Sequence, residues 1–111
     1  MRKKKLTIKM LYNILLSTSI GQRVEIEYAD GFIDKMTFYI NENGSLILDV
    51  TDINRSIIRC GGLSEFIRNT DLRNSKEKVY VKLYADTLED TFEDIIGVYE
   101  DEDNNLIFQI N

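Results

Sequence analysis

The chain contains no histidine, no tryptophan and no proline, and a single cysteine in its 111 residues. Without histidine there is no side chain that ordinarily titrates near neutral pH, no Ser-His triad and no imidazole for a zinc site. One cysteine, Cys60, excludes an intramolecular disulfide and fits a reducing compartment, so the cytoplasm is the expected location. No stretch approaches the roughly 18 apolar residues of a membrane span. Arg2, Lys3, Lys4 and Lys5 ahead of an apolar stretch imitate a secretory leader, but Lys9, Tyr12 and Asn13 interrupt it and no small-x-small step follows residues 17–21.

Basic residues are missing from one end. All 14 Lys and Arg lie at or before Lys82, accompanied there by ten Asp and Glu. Beyond Lys82 stand nine acids and no base: Asp86, Glu89, Asp90, Glu93, Asp94, Glu100, Asp101, Glu102 and Asp103. The net charge of −5 therefore hides a mildly basic body and a concentrated anionic end. Charge divided in this way speaks about partners more than about fold.

What is present is enough to fold. A hydrophobic content of 43% and a length of 111 residues suit one domain, residues 1–111, with a core that needs no metal or disulfide. Leu6, Met10, Leu11, Ile14, Leu15 and Thr18 recur at helical spacing, predicting an amphipathic helix over residues 7–17. From Val24 the period falls to two: Val24, Ile26 and Tyr28 alternate with Glu25 and Glu27, and Asp30 with Gly31 supplies a turn. A second strand over residues 32–40 and a third over 46–50, joined by Asn43 and Gly44, complete a meander. Residues 55–60 offer a short fourth strand, and Gly61 with Gly62 reads as a flexible turn before a helix over residues 64–69.

The second half repeats the first in outline. Shifted by 60 positions, residues 32–50 fall on 92–110, with Phe32 on Phe92, Asp34 on Asp94, Tyr39 on Tyr99, Glu42 on Glu102, Leu46 on Leu106 and Ile47 on Ile107. In the preceding strand Val24 belongs with Val79, because matching Tyr28, Ala29 and Asp30 to Tyr84, Ala85 and Asp86 would turn the strand over. The reading is an α+β domain of two helix-plus-three-strand units, residues 7–50 and 63–111, arising by internal duplication, with antiparallel meander sheets and a longer connection at residues 86–91. Phe32, Met36 and Phe38 are expected to share a buried face, as are Phe92, Ile96 and Val98, with both hairpin tips, residues 41–45 and 101–105, exposed. Residues 92–99 admit two readings: a strand, or a short helix that Thr87 caps with Asp90 three residues on.

Little here points to catalysis. Cys60 in an apolar strand reads as a core residue, and the carboxylates lie in polar runs rather than in settings that would separate their pKa values. Asp101, Asp103 and Asn105 have the opening spacing of a calcium loop, but Leu106 occupies its glycine position and no closing glutamate follows. No metal or cofactor is expected. Lys3, Lys4, Lys5, Arg23, Arg55 and Arg59 on one face would suit a polyanion.

Two functional expectations follow. Gly21, Val24, Ile26, Tyr28 and Gly31, a second strand, and Leu46, Ile47 and Leu48 resemble in strand pattern the first motif of Sm-like RNA-binding barrels, and Ile57, Ile58, Arg59, Cys60 and Gly61 the second. In that resemblance the loop Asp and Asn positions fall on Asn41 and Ser45, and Cys60 interrupts the Arg-Gly step. It implies a small RNA- or nucleotide-binding module. The other expectation is a non-catalytic inhibitor or adaptor that docks its acidic C-terminal half, all nine carboxylates included, on a basic surface of another protein, such as a nucleic-acid-binding protein. In that general character the chain is similar to small acidic inhibitors of phages and mobile elements, anti-CRISPR proteins among them.

Overall fold

The computed structural model describes residues 5–29, 31–84 and 91–110. Among these residues two helices and eight strands follow in the order α1 (Ile8–Leu16), β1 (Val24–Tyr28), β2 (Gly31–Ile33), β3 (Thr37–Ile40), β4 (Leu46–Asp49), α2 (Cys60–Asn69), β5 (Val79–Leu83), β6 (Thr91–Asp94), β7 (Gly97–Glu100) and β8 (Leu106–Gln109). They form a small α+β domain with two four-stranded sheets, ordered β2-β1-β8-β7 and β3-β4-β5-β6.

Each sheet is mixed, which corrects the expected antiparallel meander. The outer pairs are antiparallel hairpins, but the central pairs β1·β8 and β4·β5 run parallel. Each helix is followed by four strands rather than three, because the expected strand over residues 32–40 is two strands in different sheets. Ile33 packs on the core and Met36 is fully buried. Side chains three apart cannot both face inward along one strand of period two, so the chain breaks at Asp34 and Lys35 and changes sheet. Residues 92–99 divide likewise, with Ile95 buried at the break between β6 and β7. The expected buried faces are corrected accordingly: Met36 is buried and Phe38 and Val98 pack against the core, but Phe32, Phe92 and Ile96 are exposed.

The pairing scheme is two-fold symmetric. Val24 lies opposite Leu106 and Ile26 opposite Phe108 in one sheet, and Val79 lies opposite Leu46 and Val81 opposite Leu48 in the other. Exchanging β1–β4 for β5–β8 returns the same neighbours, with Val24 matched to Val79 as the alternation of apolar residues requires.

The helices obey the same exchange. Thr7 caps α1, its hydroxyl accepting from the Met10 N–H at 3.2 Å, and Ile8, Leu11, Tyr12 and Leu15 are buried. The orphan N–H groups at each helix start find carbonyls just before the first strand of the other half: Ile8 N–H donates to Glu77 (2.8 Å) and Cys60 N–H to Gln22 (2.7 Å). The residue ahead of each helix cap in turn accepts from that strand, Leu6 from Val79 (3.0 Å) and Ile58 from Val24 (2.9 Å).

Residues 55–60 form no fourth strand, only isolated bridges from Ser56 to Met36 and from Arg59 to Arg23. Gly61 and Gly62 are not a turn but the first turn of α2. A Cβ on Gly61 would stand 2.8 Å from Ile20 Cβ and 2.9 Å from Ile20 O, so glycine is what lets the helix start this close to the preceding chain. The core shared by both sheets and both helices contains Ile8, Leu11, Ile26, Leu48, Leu63, Val81 and Phe108.

Candidate binding face

Because Val24 and Ile26 point into the core, β1 turns Glu25 and Glu27 to the outer face of the first sheet. Register sets their company. Glu25 lies opposite Ile107, itself opposite Tyr99, and Glu27 lies between Gln109 and the exposed Phe32. The Tyr99 hydroxyl donates to Glu27 Oε2 at 3.1 Å. Burial and then this bond to Glu27 push the Tyr99 pKa up.

The tip between β7 and β8 completes the face. Asp101 Oδ1 accepts the N–H groups of Asp103 (3.0 Å) and Asn105 (2.8 Å), Asp101 Oδ2 accepts from Asn105 Nδ2 (3.2 Å), and Asn104 takes the left-handed φ of 62° that the turn requires. Asn41 builds the matching tip between β3 and β4, accepting from Asn43 (3.0 Å) and Ser45 (2.9 Å), with Gly44 at φ 82°. The calcium-like spacing of Asp101, Asp103 and Asn105 is therefore turn chemistry, with Asp101 supplying the acceptor oxygens. Both tips are exposed or half-buried except at Ser45, which is buried.

Electrostatically the tip and the strand are one region. The Glu25 carboxyl is pushed above the usual range by burial and then by Asp101 and Asp34, with Arg23 opposing and Asp103 adding. The other sheet lacks this character. At the positions matching Glu25 and Glu27 it carries Tyr80 and Lys82, and Lys82 lies 3.9 Å from Asp49.

Of the nine carboxylates singled out in the sequence, the described six are divided between the two sheets. Asp86, Glu89 and Asp90 lie outside the described residues. Glu93 and Asp94 sit on β6 in the second sheet, where Asp94 pairs with Lys5 at 3.0 Å and holds the lysine pKa up. Glu100, Asp101, Glu102 and Asp103 alone belong with the first sheet, and Glu100 turns towards a polar cleft that Arg23 and Arg59 also line. Missed from sequence were Glu25, Glu27 and Asp34. Their outward placement is legible in the alternation of β1, but nothing local announces that β1 lies beside β8.

The Sm-like strand pattern does not extend to this topology, since β1 to β4 are divided between two sheets. Of the basic residues expected on one face, Lys3 and Lys4 lie outside the described residues. Arg23 and Arg59 are bridged at one place, and Lys5 lies by Asp94 near the symmetry-related bridge of Thr7 and Lys78. Cys60 is buried and its thiol is pushed up by that burial, opposite to what a nucleophile needs. Among the described residues no three Cys, Asp or Glu side chains converge as a metal would require, and no helix is long and apolar enough to cross a membrane.

Comparison with protein-family models, with curated proteins and with solved structures finds no match for this chain.

Proposed function

We propose that the protein is a non-catalytic cytoplasmic binding protein, an inhibitor or adaptor of the kind phages and mobile elements carry, that docks an acidic face on a basic surface of a partner protein. The face comprises Glu25, Glu27, Asp34 and the tip acids Asp101, Glu102 and Asp103, with Tyr99 and Phe32 as aromatic contacts. It replaces the C-terminal half as the docking surface. The observation that carries the reading is the meeting of β1 with the β7–β8 hairpin, which gathers carboxylates from both halves around Glu25 against their mutual repulsion. A cationic partner relieves that repulsion, steers its own approach and is weakened by salt, the Debye length being about 8 Å at physiological ionic strength.

The test takes a partner recovered from the native host with wild-type protein and titrates it, at two salt concentrations, with a folded variant carrying Glu25→Gln, Glu27→Gln, Glu102→Gln and Asp103→Asn. Asp101 is kept for its turn. Binding falls and loses salt dependence if the face docks; unchanged binding at both salts reassigns these acids to solubility. A salt-dependent complex with RNA, lost on Arg23→Ala and kept in the acid-face variant, would put the nucleic-acid module in its place.

A further inference from the structure

The two-fold pairing scheme makes each half a reference for the other, and one place departs from it. Beside the acidic face, between the end of α1, the start of β1 and the β7–β8 tip, lies a cleft of about 560 Å³. Its walls carry Arg23, Arg59, Glu100 and Asp103, two cations and two carboxylates that form no ion pair with one another among the described residues. In the other half the matching positions are Lys78, Thr7, Ile40 and Asn43. There Glu77 packs over the tip, its Cγ 3.5 Å from where a Gly44 Cβ would stand.

Local geometry prepares the cleft for a guest. Arg59 occupies the N-cap of α2, where Thr7 caps α1, but makes no capping bond; its Nη1 donates instead to the Gly21 carbonyl at 2.8 Å, fixing the guanidinium on the wall. Gln22, matched in the other half by Glu77, accepts the Ser19 N–H on its Oε1 at 3.0 Å. That bond fixes the amide orientation. Gln22 also lines this cleft, and its Nε2 is buried without a partner among the described residues.

We propose that this cleft binds a small zwitterion of the amino-acid or short-peptide class, its carboxylate held by Arg23 and Arg59 and its ammonium by Glu100 and Asp103. A simple anion meets Glu100 and Asp103, and a simple cation meets the two arginines; only a molecule bearing both charges satisfies both pairs. The wall is mainly polar, so the guest is hydrophilic, and the volume falls within the ordinary range of small-molecule sites. The inference does not rest on docking at the acidic face.

The experiment follows backbone amide and Gln22 side-chain NMR signals of the full chain during titration with a panel of common L-amino acids and dipeptides, with inorganic phosphate as the anion control. At least one panel member should give saturable shifts confined to the cleft at up to roughly 10 mM. Its N-acetylated and C-amidated forms, and the variant Arg23→Ala with the intact ligand, should each bind about tenfold more weakly or worse. Among the described residues Arg23 makes no side-chain hydrogen bond, so Arg23→Ala is expected to fold, and Glu100→Gln provides the second arm. No saturable shift from any panel member, equal binding of the blocked forms, or phosphate bound as tightly as the zwitterion overturns the proposal.

Discussion

Val24 lies beside Leu106 in a parallel pair, and Leu46 lies beside Val79 in the same relation within the other sheet. The first hairpin of each half is thus completed by the second hairpin of the other, and neither half holds a finished sheet. Residues 1–58 and 59–111 made separately should show no cooperative unfolding as monomers, and mixing them should restore the native circular dichroism. A half that melts cooperatively as a monomer would contradict this.

Phe108 is fully buried at the centre of the first sheet, between Ile26 and Val98, whereas Phe32 is 57% exposed at its edge. Phe108→Ala should cost about 3–5 kcal/mol in denaturant unfolding. Phe32→Ala should change stability by less than about 0.5 kcal/mol.

Gly61 and Gly62 are adjacent in one helical turn but differ in surroundings. Gly62→Ala meets nothing within 4 Å and should stabilise by about 0.5–1 kcal/mol through helix propensity. Gly61→Ala drives a methyl into the Ile20 backbone and should destabilise; thermal melts of the two variants moving the same way would count against the helix start described here.

The turn at Asp101 needs an oxygen acceptor, not a charge, as Asn41 demonstrates at the matching tip. Asp101→Asn should therefore stay within about 0.5 kcal/mol of wild type, while Asp101→Ala, which strands two N–H groups, should cost about 1–2 kcal/mol and speed amide exchange at Asp103 and Asn105.

The raised carboxyl of Glu25 makes a prediction with a definite sign. A carboxyl whose folded pKa exceeds its unfolded value stabilises the protein only while protonated, and that contribution is lost as pH rises through the folded pKa. Ionised Glu25 is thus a burden at neutral pH. Glu25→Gln should raise the melting temperature at pH 7, and the gain should vanish below about pH 4, where the unfolded carboxyl is itself protonated.

Sequence pattern located the helix before Val24, the alternation of β1 and β5, and the matched tips, because each is set by residues within a few positions. Even the pairing of Val24 with Val79 as equivalents was legible, since side-chain direction along a strand is a local property. The break at Asp34 and Lys35 was written in the three-residue step from Ile33 to Met36, but the continuous run of strand-forming residues from Phe32 to Ile40 masked it. The parallel pairs were not legible at all. They depend on which distant strand arrives beside β1 and β4, and so the sequence displays the acids of its C-terminal end without the strand that meets them.

That meeting has a consequence for biosynthesis. The strand that flanks β4 leaves the ribosome soon after it, but the strand that flanks β1 follows about 80 residues later, roughly 4–16 s at 5–20 residues per second. Until then one edge of β1 is open to any other nascent chain. Glu25 and Glu27 lie on that strand, and charge on an unpaired edge is a recognised defence against unwanted pairing. Glu25, a burden to the finished sheet, would thus join Glu27 in protecting the unfinished one on polysomes.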